Sequence, residues 1–152
     1  MKVGLIAMSG VRVKTAELAE LGVSLPGFVE RGKVVASLPS LGLLTVAGLT
    51  PADVDLAYRE VAELPEVGEL EEFDLVGISS FTAQIDEAYA PADRYRAQGT
   101  PAVLGGIHVS LMPGEAARHA DAIVLDGAED AWPRLMEDFR AGRMLPQYKG
   151  AR

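Results

Sequence analysis

Apolar and polar residues follow one another along this chain in two alternating modes. Short unbroken apolar runs, bounded by glycine, proline or polar residues, mark strands covered on both faces. Val3 to Met8 (VGLIAM), closed by Ser9-Gly10, is the first such run, and Asp74 to Ser79 (DLVGIS), Pro101 to Leu104 (PAVL) and Asp121 to Leu125 (DAIVL) are three more. A fifth segment behaves differently: Val54, Leu56 and Tyr58 alternate with Asp53, Asp55, Ala57 and Arg59, the period of two expected of a half-exposed edge strand.

Helical spacing fills the gaps. Leu38 to Leu49 carries apolar residues around most of its circumference, with Pro39 placed to start a helix and Thr50-Pro51 to close it. Ile85, Ala88, Tyr89 and Ala92 share one face of a second helix, which Gly99 ends and which Pro91 is expected to bend. A short helix is predicted around Gly114 to Ala120. Trp132, Leu135, Met136 and Phe139 then sit at i, i+3, i+4 and i+7, with Pro133 near the helix start and Gly142 beyond its end. Thr15 to Leu21 predicts two further turns inside the long connection 9–37, a length that is often functional. Strands alternating with helices define an α/β chain: a doubly wound, Rossmann-like sheet of the flavodoxin type, with five parallel strands and helices on both faces. Leu145 to Arg152 has no period, carries Pro146 and Gly150, and reads as a linker.

Composition narrows the chemistry. With 152 residues, 49% of them hydrophobic, the chain suits one core and one domain. A net charge of −8 repels a phosphate backbone, so no nucleic acid partner is expected. Cysteine is absent, which removes disulfides, thiolate nucleophiles and any iron–sulfur cluster held by these residues. The first apolar run is too short for a signal peptide or a membrane span, so the expectation is a cytoplasmic protein without a membrane partner.

In open α/β sheets ligands bind outside the carboxyl ends of the strands. Three loops there are rich in small residues. Ser79, Ser80, Phe81 and Thr82 bring hydroxyls to a helix start; Gly105 and Gly106, followed by Ile107 and His108, let a large planar ligand approach the backbone; Gly127, Ala128 and Glu129 form a glycine turn flanked by Asp126 and Asp130. Each also has a plainer use, as a helix cap, a tight turn or a solvated acid beside a helix dipole. His108 would face the cleft. His108 and His119 lie in different elements without metal-ligand spacing, so no metal site built from side chains is expected. There is no GxGxxG after the first strand and no GxxxxGK[ST]. The acids of a phospho-acceptor domain are missing, since Met8-Ser9 and Ser79 stand in their places. No nucleophile, base and acid are arranged for catalysis, so no catalytic residue is assigned.

Four stretches, LPSLGLLTVAGL (38–49), DLVGISSFTAQIDEAYAPADRYRAQG (74–99), PAVLGGIHVSLMPGEA (101–116) and DAIVLDGAEDAWPRLMEDF (121–139), resemble in order and spacing the N-terminal B12 (cobalamin)-binding domain of B12-dependent radical SAM proteins. The resemblance implies cobalamin as cofactor, its cobalt as the bound metal, its tail threaded between strands and its corrin on the loops. By position, Ser79, Ser80, Phe81 and Thr82 would face tail and corrin, while Gly105, Gly106, Ile107 and His108 would line the tail channel. Gly127, Ala128 and Glu129 match the glycine–acid turn after the fifth strand, although Asp126 and Ala128 depart from the usual wording. The DxHxxG motif of the methionine-synthase type is absent, so the lower face of cobalt would meet water, a non-coordinating side chain or a residue of the 9–37 loop, with Val11, Leu25 and Phe28 as apolar candidates.

The resemblance further implies residues 1–144 as the cobalamin-binding domain and 145–152 as a linker toward a C-terminal radical SAM barrel. An iron–sulfur cluster and S-adenosylmethionine would belong to that partner domain, and turnover, by methyl transfer or radical chemistry, would need it. Two other readings use the same architecture: a flavodoxin-like FMN carrier, for which Phe81 and Tyr89 are the only flanking aromatics, and a cofactor-free docking domain.

Overall fold

The computed structural model describes residues 1–8, 40–61 and 70–151. The predicted helix Thr15 to Leu21 and the candidates Val11, Leu25 and Phe28 lie outside these residues. Six parallel strands form one sheet: β1 (Lys2–Met8), β2 (Asp55–Val61), β3 (Leu75–Ser79), β4 (Ala102–Gly105), β5 (Ala122–Leu125) and β6 (Gln147–Lys149). Their spatial order is β2-β1-β3-β4-β5-β6. The chain therefore steps to one side of β1 for β2 and to the other for β3, which places a topological switch point between β1 and β3.

The sheet has one strand more than the sequence pattern predicts. Gln147, Tyr148 and Lys149 pair with Ile123, Val124 and Leu125, so part of the segment read as a linker is the sixth strand. Its single inward residue, Tyr148, is buried while both neighbours are exposed. That hydroxyl accepts from the Leu145 N–H at 2.8 Å and donates to Asp138 at 3.1 Å. Three residues are too few for a period to show, and tertiary bonding recruits them.

Alternation along the strands builds two cores. Ile6, Met8, Val76, Ile78, Leu104, Ile123 and Leu125 face one way, toward Ala88, Tyr89, Ala92 and Tyr95 of α2 (Ile85–Ala97). Two short helices, α3 (Ile107–Leu111) and α4 (Pro113–Ala116), complete that layer. Val3, Leu5, Ala7, Leu75, Val103, Ala122 and Val124 face the other way. They meet α1 (Leu41–Leu49) and α5 (Ala128–Arg140) through Leu43, Val46, Trp132, Leu135 and Met136.

Several element boundaries differ from those expected. Helix α1 begins at Leu41, with the Ser40 hydroxyl accepting from the Leu43 N–H, and its apolar surface is covered only on one side: Leu41 and Leu44 are exposed. Helix α2 continues through Pro91, which is buried within it. The helix expected around Gly114 to Ala120 is replaced by α3 and α4, which break at Met112. Helix α5 starts at Ala128, so Pro133 lies inside it rather than at its start.

Candidate functional site

The same alternation that puts Leu5, Val103 and Val124 on the α1/α5 face also puts Gly77 and Gly105 there. Neither has a side chain, so the carboxyl halves of β3 and β4 leave a gap under α1 and α5. The result is a pocket of about 230 Å³. Gly42, Leu43, Thr45 and Val46 of α1 close one side, and Trp132 of α5 another, while Leu5, Gly77, Ile78, Val103 and Val124 form its sheet wall. A methyl group on Gly77 would stand 3.0 Å from the Leu5 side chain and 3.5 Å from the Trp132 ring. Trp132 is fixed there by donating its indole N–H to the Thr50 hydroxyl at 3.0 Å.

Two loops finish the mouth. Gly106 adopts φ +115°, a conformation that favours glycine, and a Cβ there would come within 2.8 Å of the Ser80 carbonyl oxygen. Its conformational freedom thus serves a close approach between the β3 and β4 loops. Ser110 ties the next pair together: its hydroxyl donates to the Gly106 carbonyl at 3.3 Å and accepts from the Asp126 N–H at 2.9 Å. On the outer side a Cβ at Gly150 would collide with the Gly127 backbone, and one at Gly127 would come within 2.9 Å of the Ala151 carbonyl oxygen.

The eleven residues singled out in the sequence separate into three groups. Ser79, Gly105, Gly106, Gly127, Ala128 and Glu129 line the pocket. Phe81, Thr82 and Ile107 are exposed at the carboxyl edge, Phe81 and Ile107 each by more than three-fifths. Ser80 and His108 are buried. The Ser80 hydroxyl donates to the Gln84 carbonyl at 2.9 Å, at the 3-10 turn Thr82–Gln84. His108 lies in the first turn of α3, with Nε2 3.3 Å from a Glu115 carboxylate oxygen of α4. That ring is enclosed in the α2/α3/α4 layer instead of the pocket, because helix formation directly after Gly106 turns it inward.

Glu115 also accepts from the Tyr89 hydroxyl at 2.9 Å, and the Tyr89 ring stacks on His119, with centroids 4.1 Å apart. The Tyr89 hydrogen bond, then that of His108, holds the Glu115 carboxyl below its ordinary range. Burial, followed by the Glu115 hydrogen bond, pushes Tyr89 up to about 12. Tyr89 is therefore committed to this layer, while Phe81 is exposed at the carboxyl edge. Among the described residues no group of His, Asp and Glu is arranged to hold a metal ion, and no helix is long and apolar enough to cross a membrane.

The helix α1 contribution and Trp132 were not singled out as site residues. The available signal was parity: Leu5, Gly77, Ser79, Val103 and Gly105 share one sheet face, and glycine at two of those positions marks missing side-chain volume.

An open α/β sheet with a glycine-floored pocket at the carboxyl ends of its strands defines a ligand-holding domain. Residues 29–136 match the B12 binding domain family, and the chain belongs to it. The chain is 37% identical over 109 residues to a bacteriochlorophyllide d C-8(2)-methyltransferase of Chlorobaculum tepidum, covering 72% of this chain and 24% of that protein. It is 31% identical over 126 residues to a bacteriochlorophyllide d C-12(1)-methyltransferase of the same organism, covering 81% and 26%. It is also 32% identical over 108 residues to an uncharacterized methyltransferase of Synechocystis sp., covering 69% and 20%. The chain thus spans about a quarter or less of the length of these relatives. No solved structure matches it significantly.

The residues present fit a cobalamin. The pocket has a mostly apolar wall, a floor without side chains at Gly77 and Gly105, and, among the described residues, polar side chains at Thr45, Ser79, Asp126 and Glu129. Such a site suits an extended, mostly neutral group, with a large ring resting on the apolar rim outside. The chain is a cobalamin-binding domain.

Proposed function

We propose that this domain is the cofactor-holding module of a larger B12-dependent methyltransferase of the radical SAM type, and that it has no turnover alone. The pocket floored by Gly77 and Gly105 against Trp132 carries this reading. In it, Ser79, Gly105, Gly106, Gly127, Ala128 and Glu129 hold the cofactor's tail, together with Leu5, Gly77 and Thr45, and the exposed Phe81, Thr82 and Ile107 support the corrin. Bound cobalamin supplies a cobalt centre that carries a methyl group from donor to acceptor. The chain's own residues bind it, keep water from its tail and fix its orientation.

The methyltransferase names of the relatives support methyl transfer, and their greater length supports a partner domain. That domain would hold an iron–sulfur cluster and S-adenosylmethionine. Strand β6 runs toward the carboxyl edge of the sheet, where the Ala151 carbonyl oxygen lies 2.9 Å from the Cβ position of Gly127. A domain following β6 would therefore begin beside the cofactor pocket. The test is to mix the chain with hydroxocobalamin, desalt it and record the visible spectrum. Retained corrin bands, shifted from those of the free cofactor, are expected; a colourless protein would overturn the reading.

A further inference from the structure

Asp126 is the one non-glycine residue with positive φ among the described residues, at +58°. Left-handed backbone is uncommon outside glycine and persists where surrounding structure fixes it. Here three contacts fix it: the Asp126 N–H donates to Ser110, the Gly150 N–H donates to the Leu125 carbonyl at 3.1 Å, and Lys149 Nζ lies 3.7 Å from the Asp126 carboxylate. The consequence is a carboxylate that lines the pocket mouth with only 19% of its side chain exposed. Glu129, the other acid of the mouth, is exposed. Among the described residues no lysine or arginine lines the pocket, and Lys149 meets the Asp126 carboxylate from outside that lining, so a group entering beside Asp126 meets hydrogen-bond acceptors. Neutral N–H and O–H donors match that environment, and a phosphate does not.

We infer that Asp126 is a cofactor-contacting residue whose carboxylate accepts a hydrogen bond from a neutral donor of the bound corrinoid. The inference rests on the cobalamin reading above. A cobalamin offers two classes of such donor, the amide N–H groups of the ring's side chains and the ribose hydroxyls of the tail. The test compares the parent chain with Asp126→Gly and Asp126→Asn in absorbance titrations against cobalamin and against cobinamide, which keeps the carboxamides and lacks the ribose. Melting temperatures of the ligand-free proteins are measured in parallel. Glycine suits φ +58°, so Asp126→Gly is expected to melt at or above the parent temperature while binding cobalamin about 10- to 100-fold more weakly, the range of a lost charge-assisted hydrogen bond. Asn keeps an acceptor oxygen and tolerates this backbone, so its loss is smaller. An equal loss with cobinamide assigns the donor to a carboxamide, and an undiminished cobinamide affinity assigns it to the ribose.

An Asp126→Gly variant that binds like the parent overturns this inference and leaves cofactor binding standing. Joint loss of affinity and melting temperature marks a purely structural role and overturns it as well. A parent chain that retains no corrinoid overturns both readings.

Discussion

Gly105 and Gly106 are adjacent, yet the structure assigns them opposite costs. Gly105 has ordinary backbone, and a Cβ there would lie 3.8 Å from Val124 Cβ, a normal packing distance. Gly105→Ala therefore reduces the freedom of the unfolded chain without strain and is expected to stabilise by about 0.4–1 kcal/mol. Gly106 combines φ +115° with a Cβ position 2.8 Å from the Ser80 carbonyl oxygen and 3.2 Å from the Ser79 hydroxyl. Gly106→Ala is expected to cost about 1–3 kcal/mol, the range for a non-glycine residue forced into sparsely populated backbone. At about 2–4 °C per kcal/mol for a domain of this size, thermal melts of the ligand-free variants separate the two by several degrees. Gly105→Phe extends the comparison to function. Its ring enters a pocket of about 230 Å³ from a strained-free backbone, so the variant should fold and yet lose hydroxocobalamin on desalting. A bulky group at Gly106 would not isolate this effect, since it would perturb the backbone first. An equal or lower melting temperature for Gly105→Ala than for Gly106→Ala, or full corrinoid retention by a folded Gly105→Phe, would refute the reasoning.

Other expectations follow from the same contacts. Glu115→Gln should lower the melting temperature at neutral pH. Because the folded Glu115 carboxyl is held below its ordinary 4.5, that contribution is present above pH 4.5 and is lost as pH falls through the folded value, so the two melting curves should converge in acid; a gap that persists there would sink the assignment. At the alkaline end Tyr89, raised from 10.0 to about 12, contributes stability below pH 10 that is lost as pH rises toward 12, and its ionisation should appear in a tyrosinate absorbance titration above the ordinary range. Tyr148→Ala removes the buried anchor of β6 and should cost about 3–5 kcal/mol in denaturant unfolding, whereas a surface-like cost below about 0.5 kcal/mol would mean that β6 adds nothing to the sheet. Trp132 is the single tryptophan and lines the pocket, so its emission should be quenched as cobalamin is added, with the same midpoint as the absorbance change.

The parallel α/β architecture was legible because central strands and flanking helices declare themselves locally. VGLIAM and DLVGIS are unbroken apolar runs because each is covered on both faces, and Trp132, Leu135 and Met136 repeat at helical spacing because one stripe of α5 meets the sheet. The small-residue loops at 79–82, 105–108 and 127–129 were legible too, since glycine and hydroxyl residues concentrate there beyond what a core requires. Their sorting was not. Whether His108 faces a cleft or a helix layer depends on α3 beginning immediately after Gly106 and on Glu115 arriving opposite its ring from the next helix. Tyr148 reads as part of a polar tail until Asp138 and the Leu145 N–H, held in place by α5 and the turn after it, give its hydroxyl partners. The pocket itself is an absence of side chains at Gly77 and Gly105, and an absence becomes a cavity only once β3 and β4 lie side by side beneath Trp132 and α1. Sequence determines these elements through interactions within a few residues, hydrophobic period and turn chemistry. Which loops share a space, and which side chain enters it, is decided by strand order and packing between residues far apart in the chain.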